Sequence, residues 1–162
     1  MVLAVLARRT LARMENPDVG TTATSRVYVD MVGDLFHAGH VSLLREARRH
    51  GDWLVVGVLA DDAAASYKRR PIMTLAERVA VIESCRYVDE VIEDAPLQVT
   101  EEFLAQHGIT TVVHGDDLSP EGAEFVYGPA MAAGKLRYVR RTGGISTTQL
   151  IQRVLARAGA GD

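Results

Sequence analysis

The sequence predicts an α/β fold, a three-layer sandwich in which helices cover both faces of a central five-stranded parallel sheet. Three observations predict it. From Arg26 onward, short apolar runs alternate with segments of helical periodicity. The apolar runs are continuous, as in strands buried on both faces. Alternation of this kind argues for parallel strands joined by right-handed crossovers. The size agrees, since 162 residues with 48% hydrophobic content support one domain with a sizeable core.

The elements follow in order. Strands are expected at 26–31, 53–59, 89–93, 111–114 and 136–139, and helices at 40–50, 74–85, 100–107 and 147–158. Val27-Tyr28-Val29 marks the first strand, and Leu43, Leu44 and Ala47 recur at helical spacing behind it. Val79, Val81, Ile82 and Cys85 carry the second helix, and Leu150, Ile151, Val154 and Leu155 the last. His50-Gly51 and His107-Gly108 each read as a helix end, with a cationic ring at the dipole and glycine in the left-handed position. Ser119 to Gly134, rich in Gly and Ala with Tyr127 and Pro129, reads either as a wall or lid of a site or as a short helix and turn. Residues 1–25 read as a mobile leader, with a short helix over Val2 to Met14, then Asn16-Pro17, Gly20 and a run of Thr and Ser; Met14 is an alternative start. The domain itself is expected over 26–158, with 159–162 as a tail.

Composition excludes several classes. A formal net charge of −3 gives no reason to invoke nucleic acid or a membrane surface as partner. The single Cys85 has no internal disulfide partner and reads as a small buried residue. Nothing approaches the apolar length of a membrane span. The apolar Met1 to Leu6 precedes Arg8-Arg9, the wrong order for a signal peptide, so a cytoplasmic location is expected. No G-x-G-x-x-G follows the first strand, which removes the dehydrogenase fingerprint.

His37-Ala38-Gly39-His40 lies where the first strand turns into the first helix. Free backbone N–H groups and the helix dipole favour an anion there, Gly39 lets a phosphate approach the backbone, and two imidazoles can donate hydrogen bonds to it. Alone, an H-x-x-H on a helix is more often structural than catalytic. A second segment changes the balance. Arg141-Thr142-Gly143-Gly144-Ile145-Ser146-Thr147-Thr148 opens the last helix with one guanidinium and four hydroxyls. Ser146 or Thr147 taken alone is an ordinary N-cap, but two phosphate-type helix starts bracketing one domain point to a nucleotide phosphate site. Asp34 and His37 follow the first strand, Asp61 the second, His114 to Asp117 the fourth and Arg141 the fifth. All lie on the carboxyl edge of the sheet, where ligands of such folds gather.

The pair H-x-G-H and R-T-x-G-I-S-T-T resembles the signatures of the cytidylyltransferase family, within the wider nucleotidyltransferases and their Rossmann-like fold. The likeness runs from about Arg26 to Arg157 and includes Gly51 to Gly57, Tyr67-Lys68-Arg69-Arg70-Pro71, Glu77-Arg78, Arg86-Tyr87-Val88-Asp89-Glu90-Val91 and His114-Gly115-Asp116-Asp117. Adenylyl-transferring relatives share H-x-G-H but close differently. The resemblance implies a CTP-dependent transfer of CMP to a small phosphate- or phosphonate-bearing alcohol or amine, with release of pyrophosphate. Acceptors of the ethanolamine phosphate, 2-hydroxyethylphosphonate or glycerol 3-phosphate type are expected. The competing readings are an adenylyltransferase of the same fold and a catalytically silent nucleotide-binding subunit.

The resemblance also distributes roles. His37, His40, Lys68 and Arg141 are the expected catalytic residues. The histidines would hold the α-phosphate and triphosphate, Lys68 would act as a mobile cation touching both substrates' phosphates, and Arg141 would approach the phosphates. Taken alone, Tyr67-Lys68-Arg69-Arg70 is a solvated basic loop. The helix start with Ile145, Ser146, Thr147 and Thr148 would hold the β- and γ-phosphates, Gly39, Thr142 and Gly144 would bind the nucleotide or its phosphates, and Asp34 and Asp116 match positions that contact substrate or nucleotide. His114 either lines the site or packs beneath it. Family members read roughly G-x-F-D or G-x-Y-D before the first histidine, whereas this chain reads Met31-Val32-Gly33-Asp34. Val32 and Gly33 are therefore expected to meet the nucleotide through a differently built backbone. No dedicated metal site is expected; Mg²⁺ arrives with the triphosphate, with Asp116-Asp117 a candidate to orient it. A homodimer through the Arg86-Tyr87-Val88-Asp89 segment is implied by analogy.

Overall fold

The structure, a computed structural model, describes residues 24–141 and 143–160. The leader over 1–23, including Met14, lies outside the described residues, as do Thr142 and residues 161–162. In order, the elements are β1 (Arg26–Met31), α1 (Ala38–Ala47) with a 3₁₀ turn at Arg48–His50, β2 (Trp53–Leu59), α2 (Asp61–Ala65), α3 (Leu75–Glu83), β3 (Glu90–Ala95), α4 (Glu101–Gln106), β4 (Ile109–Gly115), α5 (Pro120–Ala132), β5 (Leu136–Val139) and α6 (Thr147–Ala160). The five strands form one parallel sheet in the order β3-β2-β1-β4-β5. The chain winds outward in one direction from β1 to β3 and in the other from β4 to β5. The crevice where ligands sit in such sheets therefore opens between the carboxyl ends of β1 and β4.

Each face of the sheet carries its own core. Val27, Val29 and Met31 of β1 pack with Leu44, Ala47, Leu54, Val56, Val58 and Ile82 on one side. Tyr28 and Val55 pack with Leu104, Ile109, Val112, Tyr127 and Ala130 on the other. This is the alternation of a strand buried on both faces, and it confirms the expected sandwich.

Two helices lie beyond those expected. α5 occupies the stretch left open between lid and short helix. Ser119 caps it by accepting from Gly122 N, with Pro120 in the first turn, and it buries Ala123, Tyr127 and Ala130. Those three share one face at helical spacing, but Gly122, Gly128 and Pro129 lower the propensity and the small residues dilute the apolar stripe. α2 is a single short turn whose role is positional, as shown below. The first helix also starts two residues earlier than expected, at Ala38, because His37 is its cap.

The two His-Gly pairs diverge. Gly108 takes the left-handed conformation expected of it, with φ +61°. Gly51 does not; its backbone is extended. Glycine is needed there for space, since a Cβ would lie 2.6 Å from Val27 Cγ2 and 2.8 Å from the Ser25 carbonyl. Ser25, counted by the sequence with the leader, is tied into the domain, accepting from the backbone N–H groups of Asp52 at 2.9 Å and Trp53 at 3.1 Å.

In the centre of β2, Gly57 makes room for Tyr28: a Cβ would stand 2.1 Å from its hydroxyl and 2.8 Å from the Ala95 Cβ. Overpacking of this kind costs about 1–3 kcal/mol. Gly57→Ala is expected to lower the free energy of unfolding by that amount, seen in urea as a lower midpoint with the m-value unchanged.

Candidate active site

The turn from β1 into α1 is built by the two histidines. His37 Nδ1 accepts from Gly39 N at 3.1 Å, and His40 Nδ1 accepts from the backbone N–H of His37 at 3.2 Å. The pair thus forms a reciprocal capping box, a job ordinarily done by Ser/Thr with Glu/Gln. Because each Nδ1 is an acceptor, the proton of each neutral ring sits on Nε2. The rings stack at 3.9 Å between centroids, and His40 stacks on Phe36 at 5.4 Å. Burial, followed by the charge of Arg141, holds His37 below the ordinary imidazole value. Burial, then His37 and Lys68, pushes His40 down to about 4, against a smaller opposing pull from Asp34. At neutral pH both rings are therefore uncharged donors with their orientation already set.

Asp34, only 4% exposed, fixes the loop before them. Its Oδ1 accepts from the backbone N–H groups of Ile72 and Met73, both at 3.0 Å, and its Oδ2 from Arg69 at 3.1 Å. Burial pushes its carboxyl up, but these three donors outweigh it and hold the group below the usual carboxylate range. The Asp34 carbonyl accepts from Thr147 Oγ1 at 3.0 Å, which joins the start of α6 to the same turn. Gly33 (φ +71°) and Leu35 (φ 47°) flank Asp34 in left-handed backbone. At Gly33 a side chain is excluded also by space, since Ile82 Cδ1 would lie 2.7 Å from its Cβ.

Arg78 was quoted by sequence only as part of the resemblance, and the structure gives it a role. Fully buried, it donates to the Val32 carbonyl at 2.6 Å and the Met73 carbonyl at 3.3 Å, and it pairs with Asp61 at the start of α2. The signal was legible in part: Thr74 and Glu77 form a capping box at α3, which places Arg78 in the first turn beside the loop.

One cleft of about 990 Å³ opens at the crevice between β1 and β4. Of the expected residues, Val32, Gly33, Asp34, His37, Gly39, His40, Lys68, His114, Arg141, Ile145, Ser146, Thr147 and Thr148 all line it. His114 is thus brought to the wall, its ring against Tyr127 at 5.3 Å. Ser146 is the cap of α6, accepting from Gln149 N at 3.2 Å. Asp116 and Gly144 stand apart from the cleft lining. Asp116 accepts from the Arg141 N–H at 2.9 Å and so positions that residue, while Gly144 shapes the turn with φ +87°. The Arg141 guanidinium lies on Asp117, 2.9 Å away, and Lys68 lies over the Tyr67 ring at 5.3 Å. Among the described residues no three His, Cys, Asp or Glu side chains gather as a metal site, and no helix is long and apolar enough to cross a membrane.

The sequence missed Asp30. It is 8% exposed at the carboxyl end of β1, lines the cleft, and accepts from the Tyr127 hydroxyl. Burial and Asp30 together keep the Tyr127 phenol protonated, and the same two causes raise Tyr67 to about 12. An acidic side chain inside an apolar strand carried no local signal of a place in the cleft; only the sheet brings it beside Tyr67 and Tyr127.

A five-stranded parallel sheet flanked by helices, with two histidines at one helix start and hydroxyls at another, defines an α/β protein of the nucleotidyltransferase-like fold. The cytidylyltransferase-like family model matches residues 33–153, and the chain belongs to that family. It is 45% identical over 132 residues to an ethanolamine-phosphate cytidylyltransferase of Dictyostelium discoideum, covering 80% of this chain and 36% of that protein. It is 40% identical over 147 residues to choline-phosphate cytidylyltransferase A of Homo sapiens, covering 88% of this chain and 40% of that one. The chain thus spans little more than a third of the length of these relatives. Among solved structures, the lipopolysaccharide core biosynthesis protein from Thermoplasma volcanium matches at a TM-score of 0.62 and 25% identity, covering 76% of this chain and all of that one.

Two pH effects follow. With folded His40 at about 4 against 6.5 when unfolded, the unfolded chain binds more protons in that window, so stability falls as pH drops from 6.5 towards 4. The depressed Asp34 contributes stability at neutral pH that is lost as pH falls below the ordinary carboxylate value. NMR titration is expected to show the His40 ring neutral throughout pH 8 to 5. A midpoint near 6.5 would contradict the buried, capped arrangement.

Proposed function

We propose that this protein transfers CMP from CTP to a small phosphorylated amine, with ethanolamine phosphate as the acceptor, and releases pyrophosphate. The observation that carries the acceptor is the Asp30 carboxylate in the same cleft as the phosphate donors. A hydroxyl tail, as on glycerol 3-phosphate or 2-hydroxyethylphosphonate, does not need a buried anion, whereas an ammonium does. The Tyr127 hydroxyl holds one oxygen of Asp30 and leaves acceptor capacity for an N–H donor. Tyr67 and Tyr127 beside it suit the alkyl stem of such a molecule and the cation itself. The ethanolamine- and choline-phosphate enzymes among its relatives support the same chemical class.

The reaction asks for positioning and charge more than for a base. An oxygen of the acceptor phosphate, already anionic at neutral pH, forms a bond to the α-phosphorus while the bond to the pyrophosphate oxygen breaks in line. Charge accumulates on the pentavalent centre and the leaving group. The Nε2–H groups of His37 and His40 meet the α-phosphate, and their neutrality lets them donate without a desolvated charge in the resting site. Thr147 is held by its bond to Asp34, so the α6 start, with Ser146, Thr148 and its backbone N–H groups, is preset for the outer phosphates. Arg141 leaves Asp117, and Lys68 leaves Tyr67, to neutralise the phosphates at the rim. Mg²⁺ arriving with the triphosphate would screen its charge, and of the two carboxylates expected beside it Asp117 lines the cleft. A homodimer through the Arg86-Tyr87-Val88-Asp89 segment completes the proposal; there Val88 is buried, Tyr87 packs half-buried on the core and Asp89 is paired with Arg48, so Arg86 is its exposed residue.

Pyrophosphate release with CTP or ATP, against ethanolamine phosphate, choline phosphate, glycerol 3-phosphate and 2-hydroxyethylphosphonate, tests this directly. CTP with ethanolamine phosphate is expected to give the highest kcat/KM, and better use of ATP would move the protein to the adenylyl branch. His40→Ala is expected to lower kcat by about 10²–10³-fold, as for loss of one preset donor. Asp30→Asn is expected to raise the KM for ethanolamine phosphate at least tenfold while leaving that for CTP nearly unchanged. Removal of Mg²⁺ by EDTA is expected to abolish release, and added Mg²⁺ to restore it.

A further inference from the structure

The outer side of α5 carries a pattern that the core does not use. Ala123, Tyr127 and Ala130 are its buried face. Opposite them, Glu121, Glu124, Phe125, Gly128, Met131 and Ala132 recur at spacings of three and four residues and form one stripe. Phe125 is 59% exposed and Met131 40%, while Gly128 and Ala132 leave the middle of the stripe bare. Among the described residues neither glutamate pairs with a cation. Exposed glutamates on a helix are by themselves ordinary; a shallow apolar strip running beside them is not.

One segment of this chain complements that stripe in both charge and polarity. Residues 1–14 include Arg8, Arg9 and Arg13 and no acidic side chain. Leu3, Ala7, Leu11 and Met14 recur among them at helical spacing. As a helix, Leu3 to Met14 would match the stripe from Glu121 to Ala132 in length, about 16 Å each. The chain also enters at the right end. Just past α5, the Lys135 N–H donates to the Ala130 carbonyl at 2.8 Å and its Nζ to the Ile109 carbonyl at 3.0 Å. Ile109 is the register partner of Arg26, where β1 begins, one strand spacing of about 5 Å away. The joining residues 15–23 can extend to about 30 Å.

We propose that residues 1–14 lie along α5 of the same chain, their apolar side chains on the stripe and their arginines beside Glu121 and Glu124, with Met14 at the Ala132 end. The link through residues 15–23 makes the contact intramolecular, at an effective concentration in the millimolar range, so a modest strip holds it. Phe125 stands on both the stripe and the lip of the cleft, so the docked segment covers the mouth on the α5 side. The assignment holds whichever nucleotide and acceptor the cleft takes.

The test follows trypsin cleavage after Arg8, Arg9 and Arg13 in the full chain by mass spectrometry. Docking shields these bonds, so Phe125→Ser, and Glu121→Gln combined with Glu124→Gln, are each expected to speed cleavage at least tenfold over the wild type. Val81→Ser, at an exposed apolar position on α3, is expected to leave the rate alone. High salt is expected to act in the same direction as loss of the glutamates. Arg8→Glu with Arg9→Glu, read at Arg13, is expected to free the segment, and adding Glu124→Arg to restore the shielding. That rescue separates direct pairing from general damage to α5, as does an unchanged unfolding midpoint in Phe125→Ser. Equal cleavage in the wild type and every variant would overturn the proposal. So would shielding that fades on dilution, which would put a second copy's segment on the stripe.

Discussion

Everything in the site depends on how one buried carboxylate closes the turn after β1. Between Met31 and Ala38 the chain must pass from strand to helix through two left-handed residues, Gly33 and Leu35, and so leaves several backbone groups without sheet or helix partners. Asp34 and Arg78 resolve this from opposite sides. Asp34 takes the N–H groups of Ile72 and Met73, Arg78 takes the carbonyls of Val32 and Met73, and Thr147 takes the carbonyl of Asp34. The turn, the loop before α3 and the start of α6 are thereby one unit. Removing Asp34 leaves the Ile72 and Met73 N–H groups unmet, and removing Arg78 leaves the Val32 and Met73 carbonyls unmet and Asp61 unpaired, a cost of about 1–3 kcal/mol for each buried group left without a partner. His37, Thr147 and the start of α6 inherit their placement from that unit.

The same turn explains the electrostatic layout. Charged imidazoles so close together would repel each other and Arg141, and burial would penalise them further. Neutral rings with Nδ1 engaged as caps avoid both costs and still present an N–H edge. Positive charge is kept at the rim, where Lys68 rests on an aromatic ring and Arg141 on Asp117, each held by a weak, solvent-exposed interaction. The buried negative charge of Asp30 lies in the same cleft, shielded by the Tyr127 hydroxyl. One cleft thus carries cationic side chains at its rim and a buried carboxylate within.

The departure at Met31-Val32-Gly33-Asp34 has a physical basis in the packing. Gly33 is required twice over, by its φ of +71° and by Ile82. The Met31 sulfur lies 3.7 Å from where a Cβ would stand, so the side chain of residue 31 covers the position left bare at residue 33. Bulk has moved along the strand end while Asp34 keeps its place. A shift of this sort is invisible in a motif comparison, which scores each position separately, and plain once both positions are seen to share one space.

Most of the architecture was legible because its signals are local and strong. The continuous apolar runs identified all five strands, and the two phosphate-type helix starts were recognisable from hydroxyls, glycines and imidazoles at adjacent positions. α5 was left open because alanine, glycine and proline make a faint stripe even where Tyr127 anchors it, and the Gly51 expectation failed because a helix-ending glycine looks the same whether it serves conformation or space. What the sequence by itself determined was the order of elements, the edge of the sheet that carries chemistry and the residue types that meet a phosphate, since all of these follow from periodicity and from neighbours in the chain. Only the tertiary structure decided that Asp34 faces the loop of Ile72 and Met73, that Arg78 is buried beneath the turn, that Asp30 enters the cleft with Tyr127, and that Phe125 stands on the lip of the cleft. Those are relations between residues tens of positions apart, or between a residue and an empty volume, and the packing of helices on the sheet creates them.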